Sequence, residues 1–215
     1  MELTKEQLLQ VEVYLQNKDF HFIDLRHEIL DHIILDIESL VHKDDSFDSA
    51  FKTALLKWEK HFKETSSFYL GFHYSESKIV IKKAIKVFKP FYFLYLMAYI
   101  LPFVFLKLVP IQVAVALGNR LNSLLFWLSI ILLGYMFFIF LKTINSKVKT
   151  TYRFILKTQY LALSLLIIGA TVGAFGADGK MNPTTSFISG GFAIVFICHH
   201  FYRKHFEAIR KYKIL

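Results

Sequence analysis

The sequence predicts an all-α integral membrane protein, in which a cytoplasmic three-helix module precedes a four-helix transmembrane bundle. The evidence is four long apolar stretches, a reversal of charge along the chain and three earlier segments with helical apolar periodicity. Residues 1–77 carry a net charge of −7 and residues 78–215 carry +16. We therefore expect a helical interaction module (1–65), a linker with a basic amphipathic helix (66–89) and a four-span domain with a basic cytoplasmic tail (90–215).

Three helices are predicted in the module. Thr4 and Gln7 fit a capping box, so the first helix is expected from about Lys5 to Asn17. The second should run from about Asp24 to His42, because its apolar residues recur at the helical period. Ser46 is expected to cap the third. Three helices of this size bury little apolar surface, so the module should be only marginally stable alone.

The next feature is a set of four stretches long enough to span a membrane. A hydrocarbon core about 30 Å thick needs roughly 20 apolar helical residues. The four stretches that meet this length are Phe91–Val109, Leu121–Leu141, Tyr160–Ala177 and Thr185–Phe201.

The basic residues that flank these spans predict their direction. Fourteen Lys and Arg flank the ends that would lie on the same side as the two termini, and only Arg120 and Lys180 lie in the other two connections. Short cytoplasmic segments carry an excess of Lys and Arg, so both termini are expected in the cytoplasm.

A basic segment leads into the first span. Residues 78–89 place Ile81, Ala84 and Phe88 opposite four lysines. A basic amphipathic helix of this kind favours the surface of an anionic leaflet, and the alternative is a cytoplasmic continuation of the first span. The residues predicted to contact lipid headgroups are Lys78, Lys82, Lys86 and Lys89.

Small residues recur at four-residue spacing in the last two spans. Gly169 and Gly173 lie in the third span and Gly190 lies in the fourth. Such residues let helix backbones approach closely, so we predict packing within a hairpin of these two spans. The alternative is a self-association face in a homo-oligomer.

Three polar residues of the second helix are candidates for partner binding or structural bonding. Arg26 and Asp36 fall inside the apolar arc of a helical wheel, where an unpaired charge is costly. Each is expected to bond helix-end carbonyls or peptide amides of the neighbouring helices, or else a partner. His32 shares a face with Glu28 and Asp36, but His27 and His32 are five residues apart, which does not fit a zinc-protease signature.

Most enzyme classes lack support in the sequence. It contains no phosphate-binding glycine-rich loop, no Gly-x-Ser-x-Gly elbow and no Cys-x-x-Cys pair. Cys198, His199 and His200 are adjacent, but no other cysteine exists to complete a metal site. We therefore predict no catalytic residues, no metal and no cofactor. Nucleic-acid binding is not expected either, because the positive charge lies in the membrane half.

The second and third helices carry a family resemblance. The segments Phe22–His32, Asp36–Glu38 and Ser46–Phe51 resemble the N-terminal helical domain associated with signalling, and the whole chain resembles uncharacterised four-span inner-membrane proteins of the Bacteroidetes type. The resemblance implies a membrane-tethered interaction module in a bacterial inner membrane and offers no reaction to carry over. The family's usual glycine is missing from the turn Val41–Ser46.

These observations lead to two functional hypotheses. The first is a non-enzymatic regulatory or scaffolding protein, anchored in membrane lipid, whose acidic module binds an unidentified protein partner. The alternative is an oligomeric membrane effector or pore that is triggered through the module.

Overall fold

A computed structural model describes residues 3–18, 20–42 and 46–213. The chain forms two compact units. The first comprises the described residues up to Lys86, together with Val148–Phe154 and the residues from His205 onward. The second comprises Val87–Lys147 and Ile155–Lys204. These limits differ from the three predicted segments, because the first unit includes pieces that follow the second and fourth predicted spans.

Three helices form the start of the first unit: α1 (Lys5–Asn17), α2 (Ile23–Val41) and α3 (Phe47–Phe62). The predicted capping box is confirmed, since Thr4 and Gln7 exchange hydrogen bonds between side chain and backbone. The Ser46 hydroxyl accepts a hydrogen bond from the backbone N–H of Ser49, as a cap of α3 should. The glycine-less turn lies partly outside the described residues, which omit 43–45. The buried core of these helices comprises Val11, Leu15, Leu25, Ile29, Ile33, Ile37, Ala50 and Ala54.

A β-hairpin follows α3, so the expectation of an all-α chain needs correction. Strands β1 (Glu64–Ser67) and β2 (Gly71–Ser77) pair antiparallel. Gly71 pairs with Ser67 and has φ of +89°, a conformation that glycine adopts without a Cβ clash. The aromatic side chains at Phe68, Tyr69, Phe72 and Tyr74 favour a strand here over the predicted linker.

The first long helix, α4 (Lys78–Leu108), begins directly after β2. Residues 78–89 form the first turns of α4, in agreement with the alternative that this segment continues the first span. Ile81, Ala84 and Phe88, which were expected to face the leaflet, are buried within the protein. A separate surface helix is therefore not formed.

The remaining helices are α5 (Val115–Asn145), α6 (Thr151–Gln159), α7 (Leu163–Val172) and α8 (Thr185–Lys213). A short 3₁₀ turn at Tyr160–Ala162 joins α6 to α7. The four candidate spans are therefore α4, α5, the combined α6–α7 segment and α8, each long and apolar enough to cross a membrane. The largely helical fold and the number of candidate spans agree with the sequence-based prediction, apart from the β-hairpin.

The third span ends earlier than predicted. Its helix stops at Val172, and Gly173 takes a positive φ of +82°. The Asn122 side-chain oxygen then accepts hydrogen bonds from the backbone N–H groups of Ala174 and Phe175, at 2.8 and 2.9 Å. The predicted residues 173–177 therefore lie outside the helix, and the N–H groups of Ala174 and Phe175 bond Asn122 in place of helix carbonyls.

Glycines create close helix contacts in the second unit. A Cβ added to Gly169 would lie 2.9 Å from the Cβ of Phe187 and 3.1 Å from the backbone nitrogen of Ile188. A Cβ added to Gly190 would overlap the ring of Tyr99. Gly169 therefore lets α7 approach α8, and Gly190 lets α8 approach α4. Gly173, by contrast, ends a helix and does not belong to a helical packing face.

Candidate functional site

The start of α2 is fastened to the segment before α6. Asp24 lies in the first turn of α2, and its two carboxylate oxygens accept the backbone N–H of Thr151 at 3.0 and 3.2 Å. The backbone N–H of Ile23 also donates to the carbonyl of Lys149 at 3.2 Å. Thr151 is the first residue of α6, where unpaired N–H groups and the helix dipole favour a negative charge. Asp24 therefore acts as an N-terminal anion for a helix more than 100 residues away.

The environment of Asp24 favours a neutral carboxyl more than water does. Burial raises the pKa of Asp24, against the lowering effect of the hydrogen bonds from Thr151. A buried carboxylate is costly unless it is hydrogen-bonded. The hydrogen bond from Thr151 therefore offsets the cost of burying the Asp24 carboxylate.

A buried polar pair joins the same segment to the end of α8. The Thr150 hydroxyl lies 2.8 Å from Nδ1 of His205, and both side chains are buried. The same hydroxyl accepts the backbone N–H of Arg153 at 3.0 Å. The Arg153 guanidinium donates to the carbonyl of Val148 at 3.0 Å, which closes the segment on itself. Thr150 thus connects the turn before α6 with the last turns of α8.

Two weaker contacts complete the arrangement. Glu28 pairs with Lys83 of α4 at 3.0 Å, and the rings of His27 and Tyr212 stack with centroids 5.9 Å apart. Partly exposed ion pairs of this kind contribute little stability by themselves. We call this set of contacts the junction; it comprises Asp24–Thr151, Thr150–His205, Glu28–Lys83 and His27–Tyr212. It links the first half of α2 to α4, to the segment before α6 and to α8.

Asp36 and His32 lie beside α3. Asp36 accepts hydrogen bonds from Nζ of Lys57 at 2.8 and 2.9 Å and from Nε1 of Trp58 at 2.7 Å. Its partners are therefore side chains of α3, where the sequence had suggested helix-end groups. Burial alone would raise the pKa of Asp36, but the bonds from Lys57 and Trp58 outweigh it and lower that pKa. His32 stacks on Trp58 with ring centroids 6.5 Å apart.

The other predicted residue of α2, Arg26, is half-buried. It forms no ion pair with any residue in the ranges that the structure describes. Arg26 and Asp36 are therefore not brought together, as their separation along the helix had indicated.

Positive charge gathers near the start of α4. Lys78, Lys82, Lys86 and Lys89 are all exposed. Burial lowers the pKa of His61 at the end of α3, and the lysines around it lower that pKa further. The lysines with this effect are Lys60, Lys78, Lys82 and Lys57. The basic surface therefore extends beyond the lysines predicted from sequence.

The hairpin turn carries an exposed aromatic pair. The rings of Phe68 and Phe72 lie 6.0 Å apart, and these residues are 65% and 70% exposed. Leu70 between them is buried, which fixes the turn against the protein. Large exposed apolar side chains that cluster on a protein surface mark interaction sites.

The junction and the aromatic pair were both missed from sequence. The sequence placed Asp24 only at the start of the second helix, and a partner 127 residues away gives no local signal. The alternating aromatic residues around Gly71 could have indicated the hairpin.

Comparison of the chain with protein-family models, with curated proteins and with solved structures finds no match.

Proposed function

We propose that this chain is a non-enzymatic regulatory or scaffolding protein of a bacterial inner membrane, with both termini in the cytoplasm. Its helical module binds a protein partner and passes the binding event to the spans. Four candidate spans, the Lys and Arg distribution and the resemblance of α2 and α3 to the domain associated with signalling support this function.

The junction is the observation that carries the proposal. An anchor on a flexible tether needs no specific contact between its module and the segments that flank the spans. Here Asp24 and its neighbours contact three such segments, and each contact is a hydrogen bond, an ion pair or a ring stack that a shift of α2 would break. A partner that binds the shifted and unshifted states with different affinity would change their populations.

The aromatic pair is the partner site that fits best. Phe68 and Phe72 offer apolar surface on a turn held in place by Leu70, and aromatic side chains are enriched where protein interfaces are strongest. We propose an apolar patch on the partner as the complementary surface. The exposed lysines Lys78, Lys82, Lys86 and Lys89 are proposed to contact anionic lipid headgroups.

The pore hypothesis has weaker support. Exposed side chains along α5, such as Trp127, Ile131 and Phe137, are apolar. A water-filled conduit between copies of the chain needs polar or small residues along its wall. The exposed face of α5 fits contact with lipid instead.

Photo-crosslinking in native membranes tests the proposal. A benzoylphenylalanine at Phe72 should yield a discrete crosslinked product, whereas the same group at Leu56, which is exposed on α3, should not. The product should disappear in a Phe68→Ser variant and still form in an Asp24→Ala variant, because Asp24 is not part of the partner site. The same product from both positions, or none from Phe72, would contradict partner binding at the hairpin.

A further inference from the structure

Arg120 is a cation without a carboxylate near the start of α5. Within residues 87–204 the only acidic side chain is that of Asp178, and it pairs with Lys180 at 3.5 Å. Arg120 is exposed and forms no ion pair with a residue that the structure describes. Of the two basic residues in the lysine-poor connections, therefore, one is paired within the protein and one is not. The unpaired guanidinium is available to an anion from outside the chain.

A shallow and largely open apolar surface, which we call the groove, runs along one face of α5 from this arginine. It is lined by Arg120, Ser123, Leu124, Trp127, Leu128 and Ile131. Trp127 is 63% exposed and the neighbouring Leu124 and Ile131 are similarly open. The groove is thus charged at one end and apolar along the rest of its length.

The dimensions of the groove match one leaflet of a bilayer. Arg120 and Ile131 are eleven residues apart, which is about 16 Å along a helix at 1.5 Å per residue. Half of a hydrocarbon core is about 15 Å thick. With Arg120 at the headgroup level, Ile131 lies near the middle of the membrane and Trp127 lies within reach of the acyl chains.

The chemistry at the charged end fits a phosphate. A guanidinium presents a planar set of donors that matches the geometry of phosphate oxygens, and it keeps its charge at any physiological pH. The Ser123 hydroxyl beside it can donate a further hydrogen bond. A free phosphate ion would use the same donors but would leave the apolar wall uncovered.

We propose that this groove binds one anionic phospholipid, with its phosphate on Arg120 and an acyl chain along Leu124, Trp127 and Ile131. This site is separate from the lysine surface at the start of α4 and does not depend on the proposed function. A second copy of the chain could cover the same face instead of a lipid, and the test below distinguishes the two.

Fluorescence quenching by brominated lipids tests the site in the full-length protein in vesicles. Trp127 lies in the groove, and Trp58 in the helical module supplies a background that a Trp127→Phe variant measures. Brominated phosphatidylglycerol should quench Trp127 more strongly than brominated phosphatidylcholine at equal mole fraction. We expect phosphatidylglycerol to bind the groove about five-fold more strongly than phosphatidylcholine. This is the effect expected for one basic side chain near anionic lipid.

The matched variants are Arg120→Gln and Lys107→Gln, the second of which changes another basic residue near a helix end. The preference should vanish in Arg120→Gln and persist in Lys107→Gln and in the presence of inorganic phosphate. Three outcomes would overturn the proposal. These are equal quenching by both lipids, a preference that survives Arg120→Gln, and a Trp127 that no lipid quenches because another copy covers it. Competition by inorganic phosphate would assign Arg120 to a free anion and would also overturn it.

Discussion

Asp24 binds the backbone N–H of Thr151 across 127 positions of sequence, with N–O distances of 3.0 and 3.2 Å. The bond places a negative charge at the first turn of α6 and joins two distant segments of the first compact unit. Hydrogen bonds that involve a charged group are stronger than neutral ones. Mutation of Asp24 should therefore weaken the junction more than mutation of its other residues.

Replacing Asp24 with alanine should loosen the segment before α6. The lost bond involves a charged group, worth about 1.5–3 kcal/mol, so amide exchange in residues 149–154 should accelerate about 10- to 100-fold. Hydrogen–deuterium exchange with mass spectrometry on the full chain measures this change. Glu28→Gln is the control, since it removes only a partly exposed ion pair and should leave these amides nearly unchanged. Equal exchange in the wild type and Asp24→Ala would show that the bond does not hold the segment.

Acid should weaken the packing of α2 on α3 through Asp36. The folded pKa of Asp36 lies below its ordinary value of 3.8. Its contribution to the free energy of unfolding is therefore present above that ordinary value and is lost as the pH falls through the folded pKa. Trp58 donates to Asp36 and reports the loss by fluorescence in a Trp127→Phe background. The acid transition should largely disappear in Asp36→Asn, and its persistence there would assign the transition to other carboxyls.

A methyl group at Gly190 should disrupt the contact of α8 with α4. Overpacking of this kind costs about 1–3 kcal/mol, which lowers the midpoint of thermal unfolding by several degrees in a chain of this length. The buried Cys198 gives a direct assay, because a thiol-reactive dye labels it only after the fold opens. Gly134→Ala is the matched control, since nothing lies within 4 Å of a Cβ at that position. Equal midpoints for the two variants would contradict close packing at Gly190.

The proposed orientation predicts which added cysteines an impermeant thiol reagent can reach. With Cys198 replaced by serine, a cysteine at Ala177 should react in intact spheroplasts and a cysteine at Asn145 should react only after lysis. Both positions are exposed, so accessibility to the reagent depends on the side of the membrane alone. Labelling at Asn145 in sealed spheroplasts would reverse the orientation drawn from the Lys and Arg distribution.

Local patterns predicted local structure well. Thr4, Gln7 and Ser46 identified the starts of α1 and α3, because capping depends on residues only three positions apart. The four candidate spans followed from apolar length, although the end of the third did not. That end depends on Asn122, a side chain on another helix that bonds the backbone after Gly173, and such long-range contacts leave no periodic signal.

The site was harder to predict for the same reason. Asp24 was placed on the correct helix, but its partner Thr151 lies beyond two candidate spans in the sequence. Asp36 was recognised as a residue that needs a bonding partner, and its actual partners on α3 depend on the crossing of two helices. The hairpin was missed because residues 66–77 were interpreted as part of a linker, although aromatic residues flank Gly71 there.

The discontinuity of the first unit has a consequence for biosynthesis. Its pieces are separated by most of the four candidate spans, and His205, which is buried against Thr150, lies in the C-terminal part of α8. A ribosome releases the chain from its N-terminus, so the early helices must wait for their final partner until the spans have been synthesised. The junction can therefore be completed only when translation has reached the C-terminal part of α8, and a chain stopped before His205 would lack the buried contact with Thr150.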